Sequence, residues 1–267
     1  MKPDCILIRV GEQALKSDQV LTIFEKLLIR NMKAALKDID YKLVRERNRF
    51  FIFSKDNKKV VERLKMVFGI TSLSPCYVTN ANIEDIQELS KKIFKPKGTF
   101  AIRARRAGSH KFTSQDIAQK VGYIINAPAN LSNPDSELFI ECRQNKAYVF
   151  TEKILGIGGL PLGSAGKIFS YLENKQDLIA AWLLARRGCQ ITVLGSNKTL
   201  FKKLEKWHIG IKLEVESHMP KDFEETGIGM GEQTYQELKG VPDLLILRPL
   251  VGFKEDKIND ILTQIGG

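Results

Sequence analysis

Strand, basic loop and helix start follow one another in residues 100–114, which read Phe100-Ala101-Ile102-Arg103-Ala104-Arg105-Arg106-Ala107-Gly108-Ser109-His110-Lys111-Phe112-Thr113-Ser114. Alternation of apolar and charged residues predicts a strand over 99–105, with its apolar side chains on one face. Arg103 and Arg105 then share the opposite face. Thr113 is placed to cap a helix over 114–126. The segment therefore predicts a cationic strand face beside a helix N-terminus.

The densest group of cations in the chain lies in this segment, and its chemistry suits phosphate. The candidate RNA contacts are Arg103, Arg105, Arg106, His110 and Lys111. Guanidinium groups bind phosphate and stack on exposed bases, and the N–H groups at the helix start, Ser114, attract an anion. The alternative is a solvated strand with two surface arginines. Weaker candidate contacts are Arg30, Lys33, Arg143 and Lys146.

The residues before this segment predict a ferredoxin-like domain over residues 1–78. Its elements have the order βαββαβ. They are a strand at 6–10, a helix at 17–36, strands at 41–46 and 49–54, a helix at 57–67 and a strand at 72–78.

A second domain is predicted over residues 79–165, with the order α-β-α-β-β. Its first helix, 82–94, is capped by Asn82, and its last two strands form a hairpin over 137–153. Residues 166–267 alternate strands with helices, which predicts a small parallel sheet. Its strands are expected at 167–171, 190–194, 211–215 and 244–247, and its helices at 175–187, 199–207, 231–238 and 254–265. The fold class is therefore α+β followed by α/β.

The net charge of +11 is concentrated in the front of the chain. Residues 1–170 contain 29 Lys and Arg against 17 Asp and Glu, whereas residues 171–267 contain 13 against 14. Such asymmetry indicates a polyanionic partner for the front of the chain, because Lys and Arg displace counterions from phosphates. A generally basic, solvated surface is the alternative.

Several other patterns exclude common kinds of site. The glycine-rich residues 156–167 match neither a dinucleotide fingerprint nor a P-loop, which favours a flexible interdomain linker. Residues 227–231 are interpreted as a turn before a helix. The three histidines are too dispersed for a metal site, and the four cysteines contain no Cys-x-x-Cys pair. With no run of eighteen apolar residues and this cysteine pattern, we expect a cytoplasmic protein with no membrane partner.

Residues 100–114 resemble the signature stretch of a THUMP domain, a tRNA-binding module. The flanks resemble the tRNA 4-thiouridine synthetases of the ThiI type. The matching segments are residues 9–16 (RVGEQALK), 24–31 (FEKLLIRN), 131–135 (LSNPD), 147–150 (AYVF), 158–163 (GGLPLG) and 247–253 (LRPLVGF). The resemblance implies that the front two domains hold tRNA near its 3′ end, and that a C-terminal PP-loop domain uses ATP and Mg to adenylate a uridine before a cysteine delivers sulfur.

The C-terminal domain departs from that family pattern at its phosphate-binding loop. The family motif Ser-Gly-Gly-x-Asp-Ser precedes a helix with Ala-Ala-Trp-Leu, which is found here at 180–183. The loop positions hold Leu172, Glu173, Asn174, Lys175, Gln176 and Asp177. Without the two glycines the backbone should not approach a pyrophosphate closely, and two carboxylates would face it. The family's sulfur-transferring cysteine is expected beyond the equivalent of Gly267, and Cys189 is expected in the core.

These observations predict a tRNA-binding protein with a reduced, degenerate PP-loop-like domain, no catalytic residues of its own and no cofactor. Two alternatives remain open. One is an active ATP-dependent tRNA sulfurtransferase of the 4-thiouridine or thiamine-pathway type, and the other is a non-catalytic scaffold. A scaffold would self-associate or dock a catalytic protein partner.

Overall fold

A computed structural model describes residues 1–11, 17–46, 49–220, 224–233 and 244–266. Its contacts divide the chain into two compact units, each built from three stretches. The first unit comprises Met1–Arg9, Ile39–Val61 and Ser72–Leu155. The second comprises Val10–Asp38, Glu62–Thr71 and Gly156–Gly267. The predicted domain boundaries at 78 and 165 stay a prediction, because these units are defined by contacts and not by domain families.

The larger sheet has eight strands: β1 (Cys5–Val10), β2 (Tyr41–Glu46), β3 (Arg49–Ser54), β4 (Ile70–Asn80), β5 (Phe100–Ala107), β6 (Ser136–Arg143), β7 (Lys146–Phe150) and β8 (Ile154–Leu155). Their order is β2-β3-β1-β4-β7-β6-β5, and β8 pairs with β4. Strand β5 is parallel to β6, whereas β6 and β7 form the predicted antiparallel hairpin. A parallel pair requires a crossover connection, which a helix supplies here.

The helices among these strands are α1 (Asp18–Ala35), α2 (Asn57–Leu64), α3 (Ile83–Ile93) and α4 (Ser114–Tyr123). The orders βαββαβ and α-β-α-β-β are both confirmed. Asn82 caps α3 by accepting a hydrogen bond from the Asp85 N–H at 2.8 Å, as predicted. Helix α4 begins at the predicted Ser114 but ends at Tyr123, three residues earlier than expected.

Two apolar clusters cover the two faces of the strands in the first unit. On one face Ile102, Leu138 and Ile140 pack with residues of α3 and α4. On the other face Phe139, Tyr148 and Phe150 pack with residues of β1 and β3, and Tyr148 stacks on Phe51 with ring centroids 4.1 Å apart. Because successive residues of a strand point to opposite faces, β6 and β7 contribute to both clusters.

The second unit contains the predicted parallel sheet. Its strands are β9 (Lys167–Tyr171), β10 (Gln190–Leu194), β11 (Glu214–Glu216), β12 (Gly227–Gly229) and β13 (Leu245–Leu247), in the order β11-β10-β9-β12-β13. Its helices are α5 (Lys175–Arg186), α6 (Lys198–Glu205) and α7 (Glu255–Ile265). Trp182 of α5 lies at the centre of the core, with ring centroids 5.9 Å from Phe68 and 5.4 Å from Trp207.

The interpretation of residues 227–231 as a turn was wrong. Gly227–Gly229 is strand β12, parallel to both β9 and β13. A Cβ atom at Gly227 would lie 2.8 Å from the Leu245 carbonyl oxygen, so only glycine fits so close to the neighbouring strand. Of the helix expected at 231–238, residues 231–233 are not helical and the rest lies outside the described residues.

The glycine-rich segment 156–166 is a structured connection and not the flexible linker that its composition predicted. Within the second unit, Gly158 N–H donates to the Ile70 carbonyl at 2.8 Å and Leu160 N–H to the Arg186 carbonyl at 2.9 Å. Leu162 is buried in the core. Backbone hydrogen bonds and the buried side chain of Leu162 therefore fix this segment.

Candidate nucleic-acid interface

A cleft of about 630 Å³ lies entirely within the first unit. Its polar and charged lining includes Arg9, Ser72, Arg103, Arg105, Ser114, Gln115, Glu137, Glu141 and Lys153. We name it the β5 cleft, because β5 contributes the two arginines that the sequence singled out. The structure thus brings the predicted strand face and the predicted helix start to one place.

Alternation along β5 explains why its arginines face the cleft. Ile102 is buried in the apolar cluster against α3 and α4. Arg103 and Arg105 stand at odd positions and therefore project from the opposite face. Arg103 is held in place, since its Nε donates to Glu137 Oε1 at 2.6 Å and its Nη2 to the Leu131 carbonyl at 2.9 Å.

Arg105 differs from Arg103 in having no carboxylate partner among the described residues. Its side chain is exposed. An exposed guanidinium without an internal counterion binds an external anion at little cost, because no ion pair has to be broken.

Two further cations of the cleft, Arg9 and Lys153, were missed by the sequence analysis. Arg9 Nη1 donates to Ser74 Oγ at 3.0 Å, and its guanidinium carbon lies 4.8 Å from the Phe150 ring centroid. The Lys153 ammonium lies 3.7 Å from the Phe139 ring centroid. These cation–π contacts hold both charges over an apolar floor. No sequence signal connects them to β5, since they stand at the ends of segments far apart in the chain.

Burial, together with neighbouring positive charge, changes the ionisation of these groups. The pKa of Lys153 is lowered, first by burial and then by the positive charge of Arg9, and the pKa of Arg9 is lowered by burial. Burial therefore disfavours the charged form of both groups, and the neighbouring positive charge of Arg9 disfavours it further in Lys153. A bound phosphate would favour the charged form of both groups.

Glu141, the buried carboxylate of the cleft, organises a second pair of arginines. Arg143 Nε donates to Glu141 Oε1 at 2.7 Å, and Arg49 Nε lies 3.2 Å from the same oxygen. Arg143 is only 8% exposed. Its guanidinium is thus part of a buried ion cluster, and its assignment as an RNA contact stays a prediction.

The loop after β5 folds back on itself. Arg106 Nη1 donates to the Gly108 carbonyl at 2.6 Å, and His110 Nε2 donates to the Gln144 carbonyl at 2.6 Å. Lys111 is exposed, and so is Lys146, whose ammonium lies 5.9 Å from the Phe53 ring centroid. The loop therefore presents cations beside β5, but only Arg103 and Arg105 of the five main candidates line the cleft.

The start of α4 is closed by its own capping box. Thr113 Oγ1 accepts from the Asp116 N–H at 3.1 Å, and the Thr113 N–H donates to Asp116 Oδ2 at 2.7 Å. The Thr113 N–H and the Thr113 hydroxyl both donate to Asp116 Oδ2, which lowers the pKa of Asp116 and keeps it ionised. The predicted anion site at this helix start therefore contains a carboxylate, and the cleft owes its positive character to its side chains.

The two remaining candidates, Arg30 and Lys33, lie in the second unit. Arg30 Nη2 donates to the Leu162 carbonyl at 3.0 Å, and burial lowers the pKa of Arg30. Lys33 is exposed. Arg30 thus helps to hold the glycine-rich connection, which is a structural role that the sequence did not reveal.

The residues that the sequence analysis matched to the family's phosphate-binding loop run from Leu172 to Asp177, and that match stays a prediction. Asp177 Oδ2 accepts hydrogen bonds from the N–H groups of Glu173 and Asn174, at 3.1 and 3.2 Å. Asn174 Oδ1 in turn accepts from the Asp177 N–H at 3.0 Å. The buried carboxylate of Asp177 therefore uses the backbone donors that a nucleotide phosphate would need.

The backbone that follows β12 also packs against the start of α5. A Cβ atom at Gly231 would lie 2.5 Å from the Asp177 nitrogen, so this backbone packs directly on the first turn of α5. In a parallel sheet, ligands bind beyond the carboxyl ends of the strands where the strand order reverses, which is here between β9 and β12. Asp177 and Gly231 fill that position, so the residues present do not fit a bound ATP.

Candidate metal-binding groups and exposed thiols are both absent from the described residues. These residues contain no group of three or more His, Cys, Asp or Glu side chains that could hold a metal ion. All four cysteines are buried, and burial raises the pKa of the Cys189 thiol. Nor does the described part of the chain contain a helix that is both long and apolar enough to span a membrane.

Two family models match the front of the chain. The ThiI ferredoxin-like domain matches residues 5–74, and the THUMP domain matches residues 80–152. The chain carries a ThiI ferredoxin-like domain followed by a THUMP domain. Strands β5, β6 and β7 and helix α4 lie in the THUMP domain, which thus supplies most of the β5 cleft, while Arg9 and Ser72 come from the ferredoxin-like domain.

Curated relatives carry names that concern tRNA. A probable tRNA sulfurtransferase of Methanobrevibacter smithii is 38% identical over 215 residues, 75% of this chain and 56% of the relative. One of Methanosarcina acetivorans is 37% identical over 215 residues, 74% of this chain and 52% of the relative. The chain thus spans little more than half the length of these two relatives.

Solved structures share the fold of the chain. A protein from Pyrococcus horikoshii aligns over 100% of both chains, with a TM-score of 0.84 and 28% identity. A 4-thiouridine synthetase, solved with RNA and ATP, aligns over 99% of this chain and 85% of its own, with a TM-score of 0.80 and 21% identity. The ferredoxin-like domain, THUMP domain and parallel-sheet domain therefore occur together in that fold.

Proposed function

We propose that this protein binds tRNA through the β5 cleft. The observation that carries the proposal is the arrangement of Arg9, Arg103, Arg105 and Lys153 around one cleft, with Arg105 exposed and without a carboxylate partner in the described residues. Positive charge that is not neutralised internally, in a cleft of this size, attracts phosphate. The THUMP domain and the names of the curated relatives support tRNA as the source of that phosphate.

The part of tRNA that we propose is the acceptor stem with its unpaired 3′ end. An arginine plane stacks on splayed bases and binds phosphate at its edge, which suits a single strand better than a duplex. His110 and Lys111 in the adjacent loop would extend the contact along the strand, and the cytoplasm would be the site of action. A protein of the same fold has been solved in complex with RNA, which is compatible with an RNA ligand for this chain.

We further propose that the C-terminal domain does not adenylate the bound tRNA on its own. The Asp177 carboxylate holds the backbone donors at the start of α5, and Gly231 packs on the same turn. Adenylation depends on preorganised positive electrostatics around the phosphates, and this helix start supplies a carboxylate.

A second candidate function is an active ATP-dependent tRNA sulfurtransferase, which the names of the curated relatives favour. Release of pyrophosphate from ATP, dependent on added tRNA, would establish that function. If pyrophosphate is released no faster than in the absence of protein, tRNA binding remains the proposed activity. The protein would then act alone or as a scaffold for a catalytic partner.

The experiment that tests the main proposal is a titration of labelled tRNA at several salt concentrations. We expect Arg105→Ala to raise Kd about tenfold, because a hydrogen bond to a charged group contributes about 1.5–3 kcal/mol. The slope of log K against log salt should fall by about 0.7–0.9 for the lost phosphate contact. Removing the 3′ CCA of the tRNA should weaken binding to the unchanged protein.

The matched control is Lys95→Ala, which removes one exposed charge from the turn after α3, outside the β5 cleft. This variant should keep both the affinity and the salt slope. Equal affinities for tRNA in the Arg105→Ala and Lys95→Ala proteins would overturn the assignment of the cleft.

A further inference from the structure

A second cleft, of about 690 Å³, lies within the second unit at the C-terminal end of α5. We name it the α5 end cleft. Arg186 and Arg187 provide its charged side chains, and none of the described residues of its lining carries a carboxylate. Pro249 and Phe253 form an apolar wall, and the backbone of Gly158 and Gly159 lines it too. Two guanidinium groups therefore share a cleft with apolar side chains and bare backbone.

The glycines are required for the way in which the connection approaches α5. A Cβ atom at Gly159 would lie 2.2 Å from the Arg186 carbonyl oxygen and 2.7 Å from its Cγ. Both Gly158 and Gly159 have positive φ angles, 67° and 81°. No other residue adopts this backbone at such close range without strain. The glycine-rich segment thus forms one side of the cleft.

Arg186 is fixed in position by its neighbours. Its carbonyl accepts the Leu160 N–H at 2.9 Å, its stem packs on Gly159, and its guanidinium carbon lies 5.6 Å from the Trp182 ring centroid. A guanidinium that is already oriented loses little side-chain entropy when it binds a ligand.

The positive charge of the two arginines is not balanced within the described residues. Neither Arg186 nor Arg187 forms an ion pair there. The carbonyls at the end of α5 also repel an anion less than free ones would, because Leu160, Arg187, Gly188 and Cys189 donate their N–H groups to them. The cleft therefore carries net positive charge beside an apolar wall.

We infer that the α5 end cleft binds the phosphate of a nucleotide, with the ribose or base against Pro249 and Phe253. It lies at the opposite end of α5 from Asp177, so it is a different place from the closed helix start. The nucleotide is either part of an RNA strand or a free mononucleotide. If it is part of tRNA, the inference rests on the proposed function, and the two arms of the test separate these sources.

The test compares the unchanged protein with Arg187→Glu, and with Arg186→Gln as a second variant that keeps the stem packed on Gly159. Lys257→Glu is the matched control, because Lys257 is exposed on α7, outside the cleft, and its substitution makes the same change of charge. Thermal unfolding followed by circular dichroism confirms that each variant folds. One arm titrates labelled tRNA at several salt concentrations, and the other titrates AMP by calorimetry.

We expect Arg187→Glu to weaken at least one ligand by about tenfold, with Arg186→Gln acting in the same direction and Lys257→Glu without effect. A loss confined to tRNA, with a lower salt slope, identifies an RNA phosphate. A loss confined to AMP identifies a free nucleotide, and this arm is informative even if tRNA does not bind at all. Unchanged affinity for both ligands in both variants would overturn the inference. If Arg105→Ala weakens tRNA binding in the same experiments, the proposed function of the β5 cleft is still supported.

Discussion

At the scale of single residues, Lys153 gives the β5 cleft a dependence on pH. Burial and Arg9 lower its pKa in the free protein, so its ammonium loses a proton at lower pH than an ordinary lysine does. Only the charged form binds phosphate. We therefore expect Kd for tRNA to rise as the pH increases towards the ordinary lysine pKa, and to begin rising at a lower pH than it would for an unshifted lysine.

The control for this pH profile is Lys153→Arg, because a guanidinium remains charged throughout the range. Its Kd should change less over the same interval, as measured by anisotropy of labelled tRNA. Parallel profiles for the two proteins would assign the pH dependence to another group.

His208 makes the stability of the second unit sensitive to acid. Its Nδ1 donates to the Ile211 carbonyl at 2.9 Å, and its Nε2 accepts the Ile191 N–H at 3.2 Å, so the folded protein needs the neutral ring. Burial lowers the pKa of His208 below the ordinary 6.5. Below pH 6.5 the unfolded chain therefore binds a proton that the folded protein does not bind. The contribution of His208 to the free energy of unfolding is fully present above pH 6.5 and falls as the pH drops towards the lowered pKa.

The expected loss is up to about 1.4 kcal/mol per pH unit in the free energy of unfolding, from denaturant titrations on either side of that pH. His208→Gln should be less stable at neutral pH and should lose this contribution to the acid dependence. An unchanged acid dependence in His208→Gln would contradict the assignment.

Residue chemistry was predictable from sequence where it depended on local alternation. Arg103 and Arg105 share a face because they stand two apart in one strand, and the structure places both in the cleft. Arg9, Lys153 and Ser72 could not be predicted, because their proximity depends on the order in which β1, β4 and β7 pair. Arg143 shows the reverse: its charge suggested a surface contact, whereas Glu141 holds it in the interior.

At the scale of secondary-structure elements, Gly231 lets the backbone that follows β12 pack against the start of α5. A Cβ atom at Gly231 would lie 2.5 Å from the Asp177 nitrogen and 2.6 Å from the Gln176 carbonyl carbon, both of them backbone atoms. We expect Gly231→Ala to destabilise the protein by about 1–3 kcal/mol, the usual cost of overpacking, as measured by denaturant unfolding.

The matched control for Gly231→Ala is Gly122→Ala in α4, where the added Cβ meets nothing closer than 3.9 Å. This substitution should stabilise the protein by about 0.5–1 kcal/mol, because alanine is more favourable than glycine within a helix. Equal effects of the two substitutions would show that Gly231 does not pack on α5 in this way.

Most elements were predictable because their hydrophobic period is clear. Strands β9 and β10 begin and end at the predicted residues, and α4 has the predicted Thr113 cap. Strand β12 was missed because Gly-Ile-Gly carries the composition of a turn. Its pairing depends on the close approach of Leu245 and on its place between β9 and β13, which are properties of the assembled sheet.

At the scale of the whole molecule, positive charge is distributed unevenly along the chain. The surplus of 12 positive charges lies in residues 1–170, which contain the THUMP domain and all side chains of the β5 cleft. The remaining residues are nearly neutral, so the positive α5 end cleft is a local feature there and not part of a basic surface. Such a distribution fits a molecule whose front portion supplies the affinity for a polyanion, while the C-terminal domain contributes particular contacts.

This division predicts that tRNA and ATP will affect the stability of the protein differently. A ligand that binds only the folded state stabilises it by about 2.7 kcal/mol at a concentration of 100 times Kd. tRNA should therefore raise Tm, and Arg105→Ala should reduce that rise. Millimolar Mg-ATP should not raise Tm by binding at the start of α5, because the Asp177 carboxylate and the backbone at Gly231 already fill that position.

Binding of ATP at the α5 end cleft would also raise Tm, so its contribution has to be separated from binding at the start of α5. Arg187→Glu provides that background, because it leaves Asp177 and its capping hydrogen bonds in place. A rise in Tm with ATP that disappears in Arg187→Glu reports binding at the α5 end cleft. A rise that persists in Arg187→Glu would mean that ATP displaces Asp177 from the helix start, and the active sulfurtransferase would then become the better account of the C-terminal domain.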